Sequence, residues 1–272
     1  MEFNSLLFVV LCDVILLSLI HFTTLNHIPI FEFVSVATAA EFVKLAVVGW
    51  FLFTKGNHKH FLSIQRTVVV QFAISSALYV TSNFVFHASL TVVPPAIFVA
   101  STSSLQVIFT LLFQQHVSGR KMAVCGGLCA GVLLILSIVF SSINAIIGDI
   151  FQDVYNDNNM QQLLVLAAIC SCLSVSSSLL QEKLLKEAPN LMAANVVNYS
   201  FGSVFHALLL LFTWITVPLT SGGIFSGFGV FWVQLMPIFM ALSGVAGSFV
   251  LQRWDNMVWL LCRGAAVLLA HR

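Results

Sequence analysis

The chain has 272 residues, of which 59% are hydrophobic and only 8% are charged. Soluble domains average about 25% charged and roughly 45–50% apolar residues, so this composition indicates an integral membrane protein and excludes soluble enzymes, nucleic-acid-binding proteins and secreted disulfide scaffolds. With 11 Lys and Arg against 10 Asp and Glu residues, the chain has no charge excess that would attract a polyanion.

Nine apolar runs are predicted to cross the bilayer. A helix needs about 20 apolar residues to span the hydrocarbon core, and the alternating pattern of a membrane barrel is missing from these runs. We therefore predict an all-α polytopic membrane protein that forms a single transmembrane domain over residues 1–272. The predicted spans are 4–23, 30–53, 67–89, 93–115, 122–142, 161–181, 191–216, 230–252 and 256–270.

Basic residues are confined to alternate links between these spans. The links after spans two, four, six and eight contain Lys55, Lys59, Arg66, Arg120, Lys121, Lys183, Lys186 and Arg253. The other links contain no Lys or Arg; they are 23–29, 90–92, 143–160 and 217–229. Because Lys and Arg accumulate in cytoplasmic loops, even-numbered spans are predicted to end in the cytosol, and the N-terminus is predicted to start there.

Four charged side chains lie deep within the predicted spans, namely Asp13, Glu41, Lys44 and Arg263, whereas Glu32 lies nearer an interface. Such residues are functional hypotheses, because a charge at the centre of a membrane helix costs about 2.5–3.5 kcal/mol even on the lenient insertion scale. Glu41 and Lys44 are three residues apart and share a helix face, so they form either a polar cavity wall or a structural ion pair. Asp13 either binds protons or accepts a hydrogen bond from a neighbouring hydroxyl. Arg263 either extends to the interface or faces a cavity.

Three segments resemble the nucleotide-sugar transporter family of the drug/metabolite transporter superfamily. Ala40–Leu45 resembles the E-x-x-K-L motif of the second helix, and Gln181–Lys186 resembles the E-K-[IL]-L-K stretch that follows the sixth helix. Arg253–Met257 is similar to the D-N-[IM] element that enters the ninth helix. Other family-like positions are Asn83, Asn195, Tyr199 and Gly202. Pro95-Ala96 and the Tyr199-x-Phe201-Gly202 pattern look closest to a UDP-sugar branch.

The resemblance implies a bundle of ten helices in two inverted five-helix repeats, with the site between the repeats. The first repeat would be 1–142, the luminal link 143–160, and the second repeat 161–272, in which a tenth helix is missing and truncation is expected. It implies an antiporter, and not an enzyme, in the Golgi or endoplasmic reticulum membrane that exchanges cytosolic nucleotide-sugar for luminal nucleoside monophosphate. The implied substrate contacts are Glu41, Lys44, Asn83, Asn195, Tyr199, Arg253, Asn256 and Arg263.

The chain departs from the family at three lysine positions, where it has Leu105, Gln252 and Trp259. Arg253 adjoins the second of these positions, and Arg263 lies one helical turn beyond the third, so the two arginines are expected to bind phosphate instead. The alternative is a transport-inactive member that organises other transporters or glycosyltransferases. The expected partners are lipid, the nucleotide-sugar and the nucleoside monophosphate. A homo-oligomer or a complex with other transporters or glycosyltransferases is also expected. No nucleic acid, metal ion or cofactor is expected.

The basic-residue asymmetry generates a labelling prediction. In a background without reactive cysteines, Asn57→Cys and Gly119→Cys should react with an impermeant maleimide added from the cytosol. Asn158→Cys should react only from the lumen, because its link lacks Lys and Arg. Luminal labelling at position 57 would reverse the predicted orientation.

Overall fold

The computed structural model describes residues 2–25, 33–54, 64–90, 95–118, 157–216, 223–225 and 227–270, and these residues form helices and short turns without any strand. Eight of the helices are α-helices. They are α1 (Glu2–Leu25), α2 (Phe33–Thr54), α3 (Arg66–Leu90), α4 (Pro95–Ser118), α5 (Asp157–Glu187), α6 (Leu191–Thr216), α7 (Phe231–Arg253) and α8 (Asn256–Ala270). A short 3-10 helix, Gly223–Phe225, precedes α7.

Five helices of the described part are long and apolar enough to cross a membrane. The qualifying segments are Phe33–Thr54, Arg66–Ser89, Gln161–Glu187, Leu191–Ile215 and Phe231–Arg253. A shorter apolar stretch, Leu6–Ile20, lies within α1. Length and composition therefore make this a helical membrane protein.

Eight of the predicted segments coincide with these helices, and the remaining one, 122–142, lies outside the described residues, as does nearly all of the link 143–160. The main difference is at α5. The predicted span stops at residue 181, whereas the helix continues to Glu187. Leu184 and Leu185 are fully buried there, and the Glu182–Lys186 ion pair joins successive turns. The motif expected in a link is therefore helical, because packing compensates for its polar residues.

Neighbouring helices run in defined directions. Helices α3 and α5 are antiparallel, because Ser75 contacts Ser177 and Ser82 contacts Cys170. Helices α4 and α5 are parallel, since Thr102 contacts Ser171 and Gln106 contacts Ser174. Consequently Ser118, the last residue of α4, and Asp157, the first residue of α5, lie at opposite ends of the bundle.

Most close contacts join the first four helices to the last four. The pairs are α1 with α7 and α8, α2 with α6 and α7, α3 with α5 and α6, and α4 with α5 and α8. Buried hydroxyls make many of these contacts, as when Ser76 donates to the backbone oxygen of Asn198 over 3.1 Å. Small polar residues allow helices to approach closely and bond within a membrane. The centre of the bundle is therefore the interface between its two halves.

One end of the bundle carries the described basic residues that lie outside the cavity, and it is closed by apolar packing. It holds Arg66, Lys183, Lys186 and Arg253, and we call it the basic end. The cluster behind it comprises Phe72, Leu184, Leu185, Ala194, Val197 and Leu251. A second cluster at the same end comprises Val9, Ala246, Val250 and Cys262. Trp259 packs against both clusters and joins them.

Candidate functional site

A cavity of about 280 Å³ lies at the interface between the two halves, and each of the eight described helices contributes to its wall. This volume is near the lower limit for pockets that bind small molecules. Charged residues of the wall are Asp13, Glu41, Lys44 and Arg263. Two are acidic and two are basic, so their formal charges cancel. The structure thus brings the four charged residues that lie deep within the predicted spans to one cavity.

Glu41 and Lys44 form a buried ion pair in the cavity wall. The Lys44 Nζ lies 2.6 Å from the Glu41 Oε1, and both side chains are at most 5% exposed. The same ammonium lies 5.4 Å from the ring centre of Tyr79 and 5.6 Å from that of Tyr199. Aromatic faces attract cations, and more strongly where water is excluded. The lysine is therefore enclosed by a carboxylate and two aromatic rings.

Two glycines make room for this ion pair. A Cβ atom at Gly202 of α6 would lie 2.8 Å from the Glu41 Oε2, and one at Gly244 of α7 would overlap the Lys44 Cε. The Tyr199 hydroxyl donates to the Gly244 carbonyl over 3.1 Å, which ties α6 to α7 beside the lysine. A larger residue at either glycine would require the end of a charged side chain to shift.

Asp13 and Arg263 form a second, looser pair. The Ser243 hydroxyl donates to the Asp13 Oδ1 over 2.5 Å, so the hydroxyl contact considered for Asp13 is present. The Arg263 Nε lies 4.0 Å from the Asp13 Oδ2, and about half of the arginine side chain (53%) is exposed. The sequence pattern did not predict this pairing across α1 and α8. The one available signal was that the deeply placed charged residues are two acids and two bases.

Asn83 also lies in the cavity wall, at a polar junction of α2, α3 and α6. Its amide nitrogen is 3.5 Å from the His206 Nε2. The other ring nitrogen of His206 lies 2.9 Å from the Gly202 carbonyl, and the Thr38 hydroxyl donates to the His206 carbonyl over 3.4 Å. His206 is buried, and nothing in the sequence pattern singled it out as a neighbour of Asn83.

Three predicted contact residues lie outside the cavity wall. Asn195 is fully buried and donates to the Ser248 hydroxyl over 2.7 Å, which joins α6 to α7. Asn256 is also fully buried and donates to the Thr110 hydroxyl over 3.1 Å. Arg253, the last residue of α7, is exposed at the basic end. The structure therefore separates these three residues from Glu41, Lys44, Asn83, Tyr199 and Arg263, which the cavity brings together.

The two motif segments at the basic end contact each other. Glu182 accepts a hydrogen bond from the Asn256 backbone over 2.9 Å and pairs with Lys186 at 2.5 Å. Lys186 also donates to the Trp254 carbonyl over 2.5 Å. We call these four residues the α5–α8 tie. It fixes the short turn between α7 and α8 to the end of α5, so these motif residues close the bundle.

The three positions at which the family has lysine differ in their placement. Leu105 packs against the apolar cluster around Phe98, and Gln252 donates weakly to the Leu185 carbonyl over 3.5 Å. Trp259 lies in the cavity wall and rests on α7; a Cβ atom at Gly247 would come within 2.6 Å of its ring. Of these three, only Trp259 lies in the cavity wall.

Besides its charged groups, the cavity wall carries hydroxyl, amide and aromatic groups, the Cys170 thiol and the His87 imidazole. Among the residues that the structure describes, no group of three His, Cys, Asp or Glu side chains is arranged to hold a metal ion. No protein-family model matches the sequence. No protein of established function matches it significantly.

Glu41 and Lys44 should be energetically coupled. Glu41→Gln or Lys44→Met alone leaves an uncompensated buried charge, which costs about 3–5 kcal/mol. The double variant should lose less stability than the sum of the single variants, as measured by thermal unfolding in detergent. Simple additivity would contradict coupling.

A side chain at Gly202 or Gly244 should lower the stability of the protein. Gly202→Ala and Gly244→Ala should each lower the unfolding midpoint, because the added methyl group displaces Glu41 or Lys44. Gly49→Ala is the matched control, since a Cβ at this position of α2 meets nothing within 4 Å. Equal midpoints for the three variants would show that the close approach has no energetic consequence.

Proposed function

We propose that this protein is a nucleotide-sugar transporter of the Golgi or endoplasmic reticulum membrane. It exchanges a cytosolic nucleotide-sugar, most readily a UDP-sugar, for a luminal nucleoside monophosphate. The observation that carries the proposal is the polar cavity between two halves of a membrane bundle, with Arg263 exposed in its wall. Alternating access requires such a central site between two units that can move relative to each other. The three family-like motifs supply the substrate class.

The helix contacts support an inverted repeat. We match α1 with α5, α2 with α6, α3 with α7 and α4 with α8. Each of the close contacts between the two halves then has an equivalent: α1–α7 corresponds to α5–α3, α2–α7 to α6–α3, and α4–α5 to α8–α1. The contacts α2–α6 and α4–α8 join matched helices and are their own equivalents. Matched helices run in opposite directions through the bundle. This pattern is expected of repeats related by a two-fold axis in the membrane plane.

The apolar clusters support a state that is closed at the basic end. Trp259 joins the two clusters there. At the opposite end, one cluster lies around Val36 and Met236 and another around Phe98 and Ala167, and as described they share no residue. The cavity extends between them to Phe33 and His87, whose stacked rings lie 3.2 Å apart from centre to centre. We propose that the basic end faces the cytosol and that this state is closed toward the cytosol.

The cavity groups fit the parts of a nucleotide-sugar. Arg263 would hold a phosphate, because a guanidinium group donates two parallel hydrogen bonds to a phosphate. Tyr79 and Trp259 present aromatic rings on which a base would stack. Gln106, which donates to the Ser174 hydroxyl, and Asn83 would bond sugar hydroxyls. The Glu41–Lys44 pair would fix the wall against which these groups are arranged.

Arg263 should be required for exchange in proteoliposomes loaded with UMP and assayed against a panel of nucleotide-sugars. Arg263→Lys should lower the exchange rate about tenfold, because a lysine loses one of two charge-assisted hydrogen bonds. Arg263→Gln should abolish exchange without affecting membrane insertion. Lys183→Gln, at an exposed position of the basic end, is the control and should keep the wild-type rate.

Two outcomes would contradict this proposal. Wild-type exchange by Arg263→Gln would remove the arginine from the substrate site. A folded wild-type protein that exchanges no member of the panel would favour the transport-inactive alternative, in which the protein organises other transporters or glycosyltransferases.

A further inference from the structure

Asp13 has an oxygen atom to which none of the described residues donates a hydrogen bond. The residue is 7% exposed and lies in the cavity wall. Its Oδ1 accepts from Ser243, but the buried Oδ2 has no hydrogen-bond partner in the part of the chain that the structure describes. Its nearest cationic neighbour is the Arg263 Nε, at 4.0 Å, which is too long for a hydrogen bond. This buried carboxylate is stabilised by the Ser243 hydroxyl at one oxygen and by the nearby arginine charge at the other.

Substrate binding would remove the part of this stabilisation that Arg263 supplies. The four charged residues of the cavity sum to zero, whereas the diphosphate of a nucleotide-sugar carries two negative charges. Arg263 can turn its guanidinium group to a phosphate, because half of its side chain is exposed. Asp13 would then be a buried anion facing a second anion, an arrangement that costs several kcal/mol unless one charge is neutralised. The phosphates of a diphosphate diester do not protonate near neutral pH.

We propose that Asp13 is a proton-binding site coupled to substrate binding, an inference that rests on the proposed nucleotide-sugar transport. When a substrate phosphate binds Arg263, the Asp13 Oδ2 binds one proton from solvent. The protonated carboxyl group is neutral and can donate a hydrogen bond to the phosphate. When the substrate leaves, the proton returns to water and the arginine again faces the carboxylate.

The other titratable groups near Asp13 are less suited to this role. Helices α7 and α8 pack against α1; α7 contributes Arg253 at its exposed end, and α8 contributes Cys262 and Arg263. The thiols of Cys12 and Cys262 adjoin Asp13. Thiols are already neutral near pH 7, so they have no proton to gain.

The charged groups on the other side of the cavity are also less suited. Glu41 has its own cation at 2.6 Å on the same helix. That lysine is held by two tyrosine rings and by the glycine contacts of α6 and α7. A substrate phosphate therefore separates Arg263 from Asp13 more readily than it separates Lys44 from Glu41.

Titration calorimetry on the purified full chain tests the proposal. The ligand is the panel nucleotide-sugar that binds most tightly, and each titration is repeated in two buffers of different ionisation enthalpy. A nucleoside monophosphate is avoided, because its second phosphate pKa of about 6 would itself release or bind protons. The wild type should take up about one proton per bound ligand. In the pH range where Asp13 is ionised in the empty protein but protonated in the complex, the affinity should fall about tenfold for each unit by which the pH rises.

Asp13→Asn keeps the size of the side chain and an acceptor for Ser243, and it removes the titration. This variant should bind without proton uptake, and its affinity should be independent of pH and tighter than that of the wild type at pH 8. Cys12→Ser, one residue away on α1, is the matched control and should keep the wild-type proton uptake.

Binding by the wild type without proton uptake would overturn this inference and leave the proposed transport intact. This measurement uses the wild type alone and does not depend on the folding of any variant. Equal proton uptake in Asp13→Asn would overturn it as well, since another group would then be the proton site. A wild type that binds no panel member at any pH would overturn the proposed function, and the inference with it.

Discussion

The Glu41–Lys44 ion pair is the constraint on which the centre of the structure depends. Two opposite charges in a water-poor bundle are tolerated only when they contact each other and when their remaining surface is enclosed by groups that stabilise charge. The enclosure comes from three other helices, through Tyr79, Tyr199, Gly202 and Gly244. These contacts hold α2 between α6 and α7, and the cavity lies along the face that α2 presents to the other half.

The two ion pairs of the cavity differ in a way that suits different tasks. Glu41 and Lys44 are neighbours on one helix, are in direct contact and are almost completely buried. Asp13 and Arg263 come from different helices, are 4.0 Å apart, and the arginine is half exposed. A pair of the first kind maintains a wall, since breaking it leaves a buried charge. A pair of the second kind can exchange partners, which is what the proposed binding of a phosphate requires.

The family-like motifs have two different places in the structure. Glu41, Lys44, Asn83 and Tyr199 lie in the cavity wall. Glu182, Lys186 and Asn256 instead form the α5–α8 tie, and Asn195 joins α6 to α7. Buried polar groups in a helix bundle must find partners, so a motif that holds helices together is as restricted in sequence as one that contacts a ligand. Motif resemblance alone did not distinguish the two.

The amino-acid sequence by itself determined that the protein is a helical membrane protein, where eight of its helices lie, and that Glu41 and Lys44 share a face. These properties follow from local spacing, since helix period and apolar run length depend on neighbouring residues. Only the tertiary structure decided that Asp13 faces Arg263, that Asn195, Arg253 and Asn256 lie outside the cavity wall, and that Gly202 and Gly244 accommodate the ion pair. Each of these depends on how distant helices pack, because which face of a helix meets which neighbour is set by shape and partner chemistry across the whole bundle.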